Sequence, residues 1–199
     1  MKKLFTIAIV TIILQSCASK YLLYDFKMTH PEQSKNLFHE NDKFSISFEI
    51  GQKMIGINIL NKLTDGIRIN WDEVSFSING QAERAVHKST GIAKITEVQP
   101  PTTIPPKSSL QDFLIPESNV HYSTAFGGTY SFDNLFPIEE GAKKADKAAA
   151  KYKGTKVTIF MPFYIGGKYE SYYYDIMIDD VRVSKYSESD LAARDKKKK

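Results

Sequence analysis

The chain has 199 residues, 42% hydrophobic and 12% aromatic, which excludes a disordered polymer and supports a packed core. Its formal charge of +4 comes from Lys2, Lys3 and Lys196 to Lys199, without which the body is at about −2, so the basicity gives no footprint for nucleic acid. Cys17 is the only cysteine, which rules out intramolecular disulfides.

In chain order, Lys2 and Lys3 precede an apolar run from Leu4 to Leu14. That run is far short of the ~20 residues that cross a bilayer and has the size of a signal-peptide core. Leu14-Gln15-Ser16-Cys17 then sets a small residue and the sole thiol as a lipobox requires, although Gln15 is not the commonest residue at its position. The expectation is a lipoprotein signal peptide over 1–16, cleavage before Cys17 and diacylglycerol on its sulfur. Each buried acyl methylene contributes ~0.8 kcal/mol to anchoring. The competing readings are a non-lipidated secretory signal and a buried N-terminal segment. Confinement of cysteine to this one position favours lipidation. Ala18, where an aspartate retains some lipoproteins at the inner membrane, favours the outer membrane of a bacterial cell envelope.

Residues 17–42 read as a lipidated lead with a first strand at Tyr21 to Tyr24 and a break at His30-Pro31. A β domain follows over 43–183. Phe44, Ile46, Phe48 and Ile50 alternate with polar residues, as do Ile55, Ile57 and Ile59, then Ile67, Ile69 and Trp71. Val74, Phe76 and Ile78 run into Asn79-Gly80, a strong hairpin signal, with Gln81 to His87 returning. Pro100 to Pro106 predicts an extended surface connection outside any ladder. Strands are expected at Leu110 to Ile115 and Thr129 to Phe132. The Ala- and Lys-rich stretch from Glu139 to Tyr152 predicts a helix. Val157 to Ile165 and Lys168 to Val183, joined by Gly166-Gly167, predict a long hairpin, and 184–199 a charged tail. Seven to nine strands at such spacing point to an all-β fold. The expected form is a single immunoglobulin-like antiparallel β-sandwich with one short inserted helix.

Several short segments carry a family likeness: Tyr21 and Tyr24, Asn41-Asp42, Ile46-Phe48-Ile50, Asn61-Lys62 with Ile67-Ile69, Ser77-Ile78-Asn79-Gly80-Gln81-Ala82, and Ile104-Pro105-Pro106-Lys107-Ser108. On these the chain resembles a family of uncharacterised Bacteroidetes-type lipoproteins. The resemblance implies an immunoglobulin-like sandwich at the cell envelope and supplies no catalytic residue. The stretch at 142–153 falls outside that pattern.

No nucleophile elbow, zinc-helix, phosphate-loop or Cys-x-x-Cys motif is present. The expectation is therefore no catalytic residue, no metal and no cofactor. His30, His39, His87 and His121 are scattered along the chain. Asp175, Asp179 and Asp180 could hold calcium at a loop tip, but neighbouring strand residues point apart, which favours solvated edge charges. Tyr169 and Tyr173 share one strand face and Tyr172 and Tyr174 the other, so one pair must face outward as a candidate binding surface; tyrosines that merely cover a half-buried strand are the competing reading. Lys143, Lys147 and Lys151 fall at i, i+4, i+8 and would line one helix face toward anionic lipid headgroups, together with Lys196 to Lys199. The functional expectation is a non-enzymatic, lipid-anchored envelope protein with a partner-binding or structural role. The alternative is a glycan-binding module that uses the exposed tyrosines. Partners are thus the membrane, through Cys17, and an envelope protein or glycan.

Overall fold

Alternation of apolar and polar residues builds the strands over Phe44–Ile50 and Ile55–Asn61, and the tight turns at Asn79-Gly80 and Gly166-Gly167 use a left-handed backbone. A computed structural model describes residues 19–87, 97–124 and 128–196. Cys17 and the signal segment 1–16 lie outside the described residues, as do Lys197 to Lys199. The strands in chain order are β1 (Ser19–His30), β2 (Phe38–Glu40), β3 (Phe44–Ile50), β4 (Ile55–Asn61), β5 (Ile67–Ile69), β6 (Ser75–Ile78) and β7 (Gln81–His87). They continue as β8 (Thr102–Ile104), β9 (Ser109–Pro116), β10 (Val120–Ser123), β11 (Thr129–Phe132), β12 (Glu139–Gly141), β13 (Lys156–Ile165) and β14 (Lys168–Ser184). Two short helices complete the fold, α1 (Ala145–Tyr152) and α2 (Glu188–Lys196). The fold is all-β, and its registered strand pairs are antiparallel.

The chain divides into two compact units, where the sequence was read as one domain over 43–183. The smaller takes residues up to Asp25, Pro137–Lys153 and the chain from Asp179. The larger takes Phe26–Phe136 and Gly154–Ile178. Strands β1 and β14 contribute to both, and β1 together with β2 makes residues 19–40 of the expected 17–42 lead part of the fold.

In the smaller unit β1 pairs with β12, Ser19 opposite Gly141 and Tyr21 opposite Glu139. The Tyr24 hydroxyl donates to the Pro137 carbonyl at 2.7 Å, and its ring meets Tyr152 of α1 edge-on at 6.4 Å. Helix α1 buries Ala145 and Ala149, while Arg182 grips both carboxylate oxygens of Asp25. Helix α2 is started by a capping box: the Ser187 hydroxyl accepts from the Asp190 amide and the Asp190 carboxylate accepts from the Ser187 amide. The expected helix over Glu139 to Tyr152 is corrected here. Its first three residues satisfy their backbone by pairing with β1, and helix begins only at Ala145.

In the larger unit β3, β4 and β9 form a continuous ladder, with Ile46 opposite Ile59 and Ile59 opposite Leu110. Strand β7 serves two neighbours. Its Gln81–Arg84 half pairs with β6, and its Ala85–His87 half pairs with β9. Strand β13 pairs with β14, β6 and β5. The core forms where inner-face side chains of β3 meet those of β13 and β14. Phe44 lies 4.9 Å edge-on from both Phe163 and Tyr172, and Phe48 lies 5.0 Å from Tyr174. The proline segment is a second correction. Thr102–Ile104 keep their N–H groups between the flanking prolines and form β8 at the edge of β5, with Ile104 buried. Asn61 fixes that segment, its amide donating to the carbonyls of Asp65, Ile104 and Pro105. The strand count exceeds the expected seven to nine because three-residue strands such as β2, β8 and β12 are too short to show a period.

Candidate functional site

The hairpin β13–β14 determines which tyrosines reach solvent. Its two-residue turn at Gly166-Gly167, both at positive φ, sets Tyr164 opposite Tyr169, Phe160 opposite Tyr173, Met161 opposite Tyr172 and Ile159 opposite Tyr174. The register puts Tyr172 and Tyr174 on the side of Ile159 and Met161, facing the core. Tyr174 is 0% exposed, and burial holds its hydroxyl proton far above the ordinary phenol range. Tyr172 is half-buried, and its hydroxyl donates to Glu170 at 2.7 Å. Burial, then that carboxylate, pushes its pKa up to about 12. Tyr174 is closed off in the core, which corrects its place among the candidate surface tyrosines, and Tyr172 faces the same side with its hydroxyl held by Glu170.

Tyr169 and Tyr173 stand on the outer face, 52% and 50% exposed. Two rows of side chains cross the strands there. One runs His30, Tyr173, Phe160 and Ser75; the other runs Tyr169, Tyr164, Arg68 and Thr103. Tyr173 is stacked on His30, and Tyr169 meets Tyr164 edge-on at 5.4 Å. The Tyr164 hydroxyl donates to the Glu73 carboxylate at 3.0 Å, which raises its own pKa. With the exposed tyrosines four positions apart along β14, the two rows lie ~13 Å apart. Phe160, Tyr164 and Arg68 were not singled out from sequence, and His30 only as one of four scattered histidines. The signal for the first two was present, because a two-residue turn fixes which positions of β13 face Tyr169 and Tyr173.

A second feature lies on the outer face of β3, β4 and β9. There Ser47, Asn58 and Gln111 form one row and Glu49 and Gly56 lie beside it, and with Asn36 they line a groove of about 480 Å³.

Opposite it, inside the larger unit, His87 and Asp112 form a buried pair, Nδ1 to Oδ2 at 3.1 Å, with side chains 0% and 3% exposed. Trp71 stacks on His87 at 4.1 Å. The Gln99 side chain accepts from the His87 amide and donates to the Ala85 carbonyl. Closed off from solvent, this network joins β7 to β9 and offers no surface to a substrate.

The remaining candidates are dispersed. His30 belongs to the tyrosine face, His39 pairs with Glu32 and His121 with Asp133. Asp175 is held by Thr158 at 2.6 Å, and Asp180 pairs with Lys153. Among the described residues no group of three or more His, Cys, Asp or Glu could hold a metal ion, and no helix is long and apolar enough to cross a membrane. Lys147 and Lys151 are exposed one turn apart on α1, but Lys143 precedes the helix and does not share its face. Lys196 is the last residue of α2.

No family model matches the chain, and no curated protein matches it. Among solved structures it is similar to the crystal structure of a protein from Archaeoglobus fulgidus, at 11% identity over 74% of this chain and 94% of that one. The TM-score of 0.24 is too low for that likeness to bear on fold or function.

Proposed function

We propose that the chain is a non-enzymatic, lipid-anchored protein of the bacterial cell envelope, held in the outer membrane through Cys17, whose tyrosine face docks a partner protein. Membership of the Bacteroidetes-type lipoprotein family and an immunoglobulin-like sandwich in the larger unit belong to the same reading. The packing of Phe44 and Phe48 on Phe163, Tyr172 and Tyr174, and the passage of β7 from β6 to β9, support the sandwich.

The observation that carries the docking role is the exposure of Tyr169 and Tyr173 on one strand face beside Arg68. Tyrosine and arginine are the side chains that most often dominate binding energy, since each buries a large apolar area while keeping a polar end. The bonds from Tyr164 to Glu73 and the stack of Tyr173 on His30 hold the face in shape before a partner arrives, which lowers the ordering cost of binding. A sugar needs an open ring face to stack on. His30 covers one face of Tyr173, and Tyr164 and Tyr169 meet edge-on, which favours a protein partner with a carboxylate opposite Arg68.

A photo-crosslinker at Ser171, between the two tyrosines on the same face, tests this in the native host. It should capture one envelope protein, with capture lost on Arg68→Glu and absent for a crosslinker at Asn79 in the β6–β7 turn. The Cys17→Ser variant should move the chain to soluble fractions. Absence of an adduct at Ser171, or an adduct indifferent to Arg68→Glu, removes the docking role. A glycan-array signal abolished by Tyr169→Ser with Tyr173→Ser would assign the face to a glycan instead.

A further inference from the structure

Gly56 sits in the interior of β4, where glycine weakens a strand and needs a reason. Backbone conformation does not supply one, because Gly56 is not among the residues at positive φ. Packing does not supply one either, since a Cβ there would come no closer than 3.4 Å to the Glu49 Cβ, an ordinary contact. What the missing side chain does provide is space. Gly56 lines the 480 Å³ groove on the outer face of β3, β4 and β9, a volume within the ~300–1,000 Å³ of small-molecule sites.

The groove wall is chemically consistent. Asn58 and Gln111 are directly opposed across β4 and β9, and Ser47 faces Asn58 across β3. Unlike Asn41, Asn61 and Gln99, whose side chains bond to the backbone, Asn58 and Gln111 have no side-chain hydrogen bond among the described residues. Each presents a donor and an acceptor side by side, the pattern that meets two adjacent hydroxyls. Glu49 adds a strong acceptor, no cationic side chain lines the groove, and anions are therefore disfavoured.

We propose that the groove over Gly56 is a binding site for a neutral saccharide, distinct from the tyrosine face and independent of what docks there. The test is calorimetry on the full chain in a polyoxyethylene detergent against maltose, cellobiose, lactose and N,N′-diacetylchitobiose and their tetramers. At least one should bind. Gly56→Val fills groove space with a good strand former, so affinity should fall about tenfold or more with no drop in melting temperature. Gln111→Leu, at an exposed position, should weaken the same ligand by about tenfold through loss of one paired donor and acceptor. Tyr169→Ser with Tyr173→Ser should leave saccharide affinity unchanged. No binding by any member, binding indifferent to both groove variants, or binding lost in the tyrosine variant would overturn the assignment.

Discussion

Tyr173 lies flat against His30, ring centroids 4.0 Å apart and planes 2° from parallel. The stack ties β14 to β1 on the outer face, and such aromatic pairs contribute ~0.5–1.5 kcal/mol beyond area burial. His30→Ala should lower stability by about that amount in denaturant unfolding. It should also weaken partner capture by leaving Tyr173 to sample several rotamers. Tyr169→Ser alone, which breaks no stack on His30, should shift stability less than His30→Ala while still reducing capture.

Tyr174 carries a buried hydroxyl with no hydrogen-bond partner among the described residues. An unsatisfied buried polar group costs ~1–3 kcal/mol, so Tyr174→Phe should raise the melting temperature. A fall would mean that the hydroxyl is satisfied. In alkaline titration followed by tyrosine absorbance, Tyr172 and Tyr174 should ionise well above the ordinary phenol range. The folded-state proton affinities of the inner pair are raised, so stability present below pH ~10 is lost as pH climbs above it.

Trp71 is the only tryptophan, is 0% exposed, and donates from Nε1 to the Thr102 hydroxyl at 2.8 Å. Its emission should be blue-shifted in the native protein and should report unfolding of the larger unit. Thr102→Val leaves the indole N–H without its acceptor and should cost about 1–3 kcal/mol. An unchanged unfolding midpoint would show that the bond contributes nothing.

Glu170 receives both Lys43, at 2.6 Å, and the Tyr172 hydroxyl, and hydrogen bonds from Lys43 and then Tyr172 hold its pKa below the ordinary 4.5. A carboxylate whose folded pKa is depressed binds more protons when unfolded. Its stabilisation is present above pH ~4.5 and disappears as pH falls through the lowered value. Glu170→Gln should therefore flatten the acid limb of the stability–pH curve below pH ~5. An unaltered slope would exclude Glu170 as a contributor.

The long alternating strands β3, β4, β13 and β14, and the hairpins at Asn79-Gly80 and Gly166-Gly167, were legible in the sequence because period and turn chemistry are local. Strand β8 was not, since a three-residue segment between prolines becomes a strand only when the edge of β5 is there to receive it. Nor was the strand character of Glu139–Gly141, whose composition favours helix until β1 takes its backbone. The same limit applied to the sites. Period two divides Tyr169 and Tyr173 from Tyr172 and Tyr174, but Phe44, more than a hundred residues away, decides which pair is buried. Gly56 stands out only once β3 and β9 are aligned beside it.

Ser19, the first described residue, is already paired in β1, opposite Gly141. Under the proposed anchoring, only Ala18 separates the acylated Cys17 from the first paired residue, a reach of ~7 Å fully extended. Such an anchor leaves almost no stand-off. The Ser19–Gly141 rung would rest at headgroup level, and Lys143, two residues past Gly141, would meet phosphates through nearness to the anchor rather than by lining a helix with Lys147 and Lys151. The tilt of the smaller unit on the bilayer would then follow the hydrogen bonds between β1 and β12.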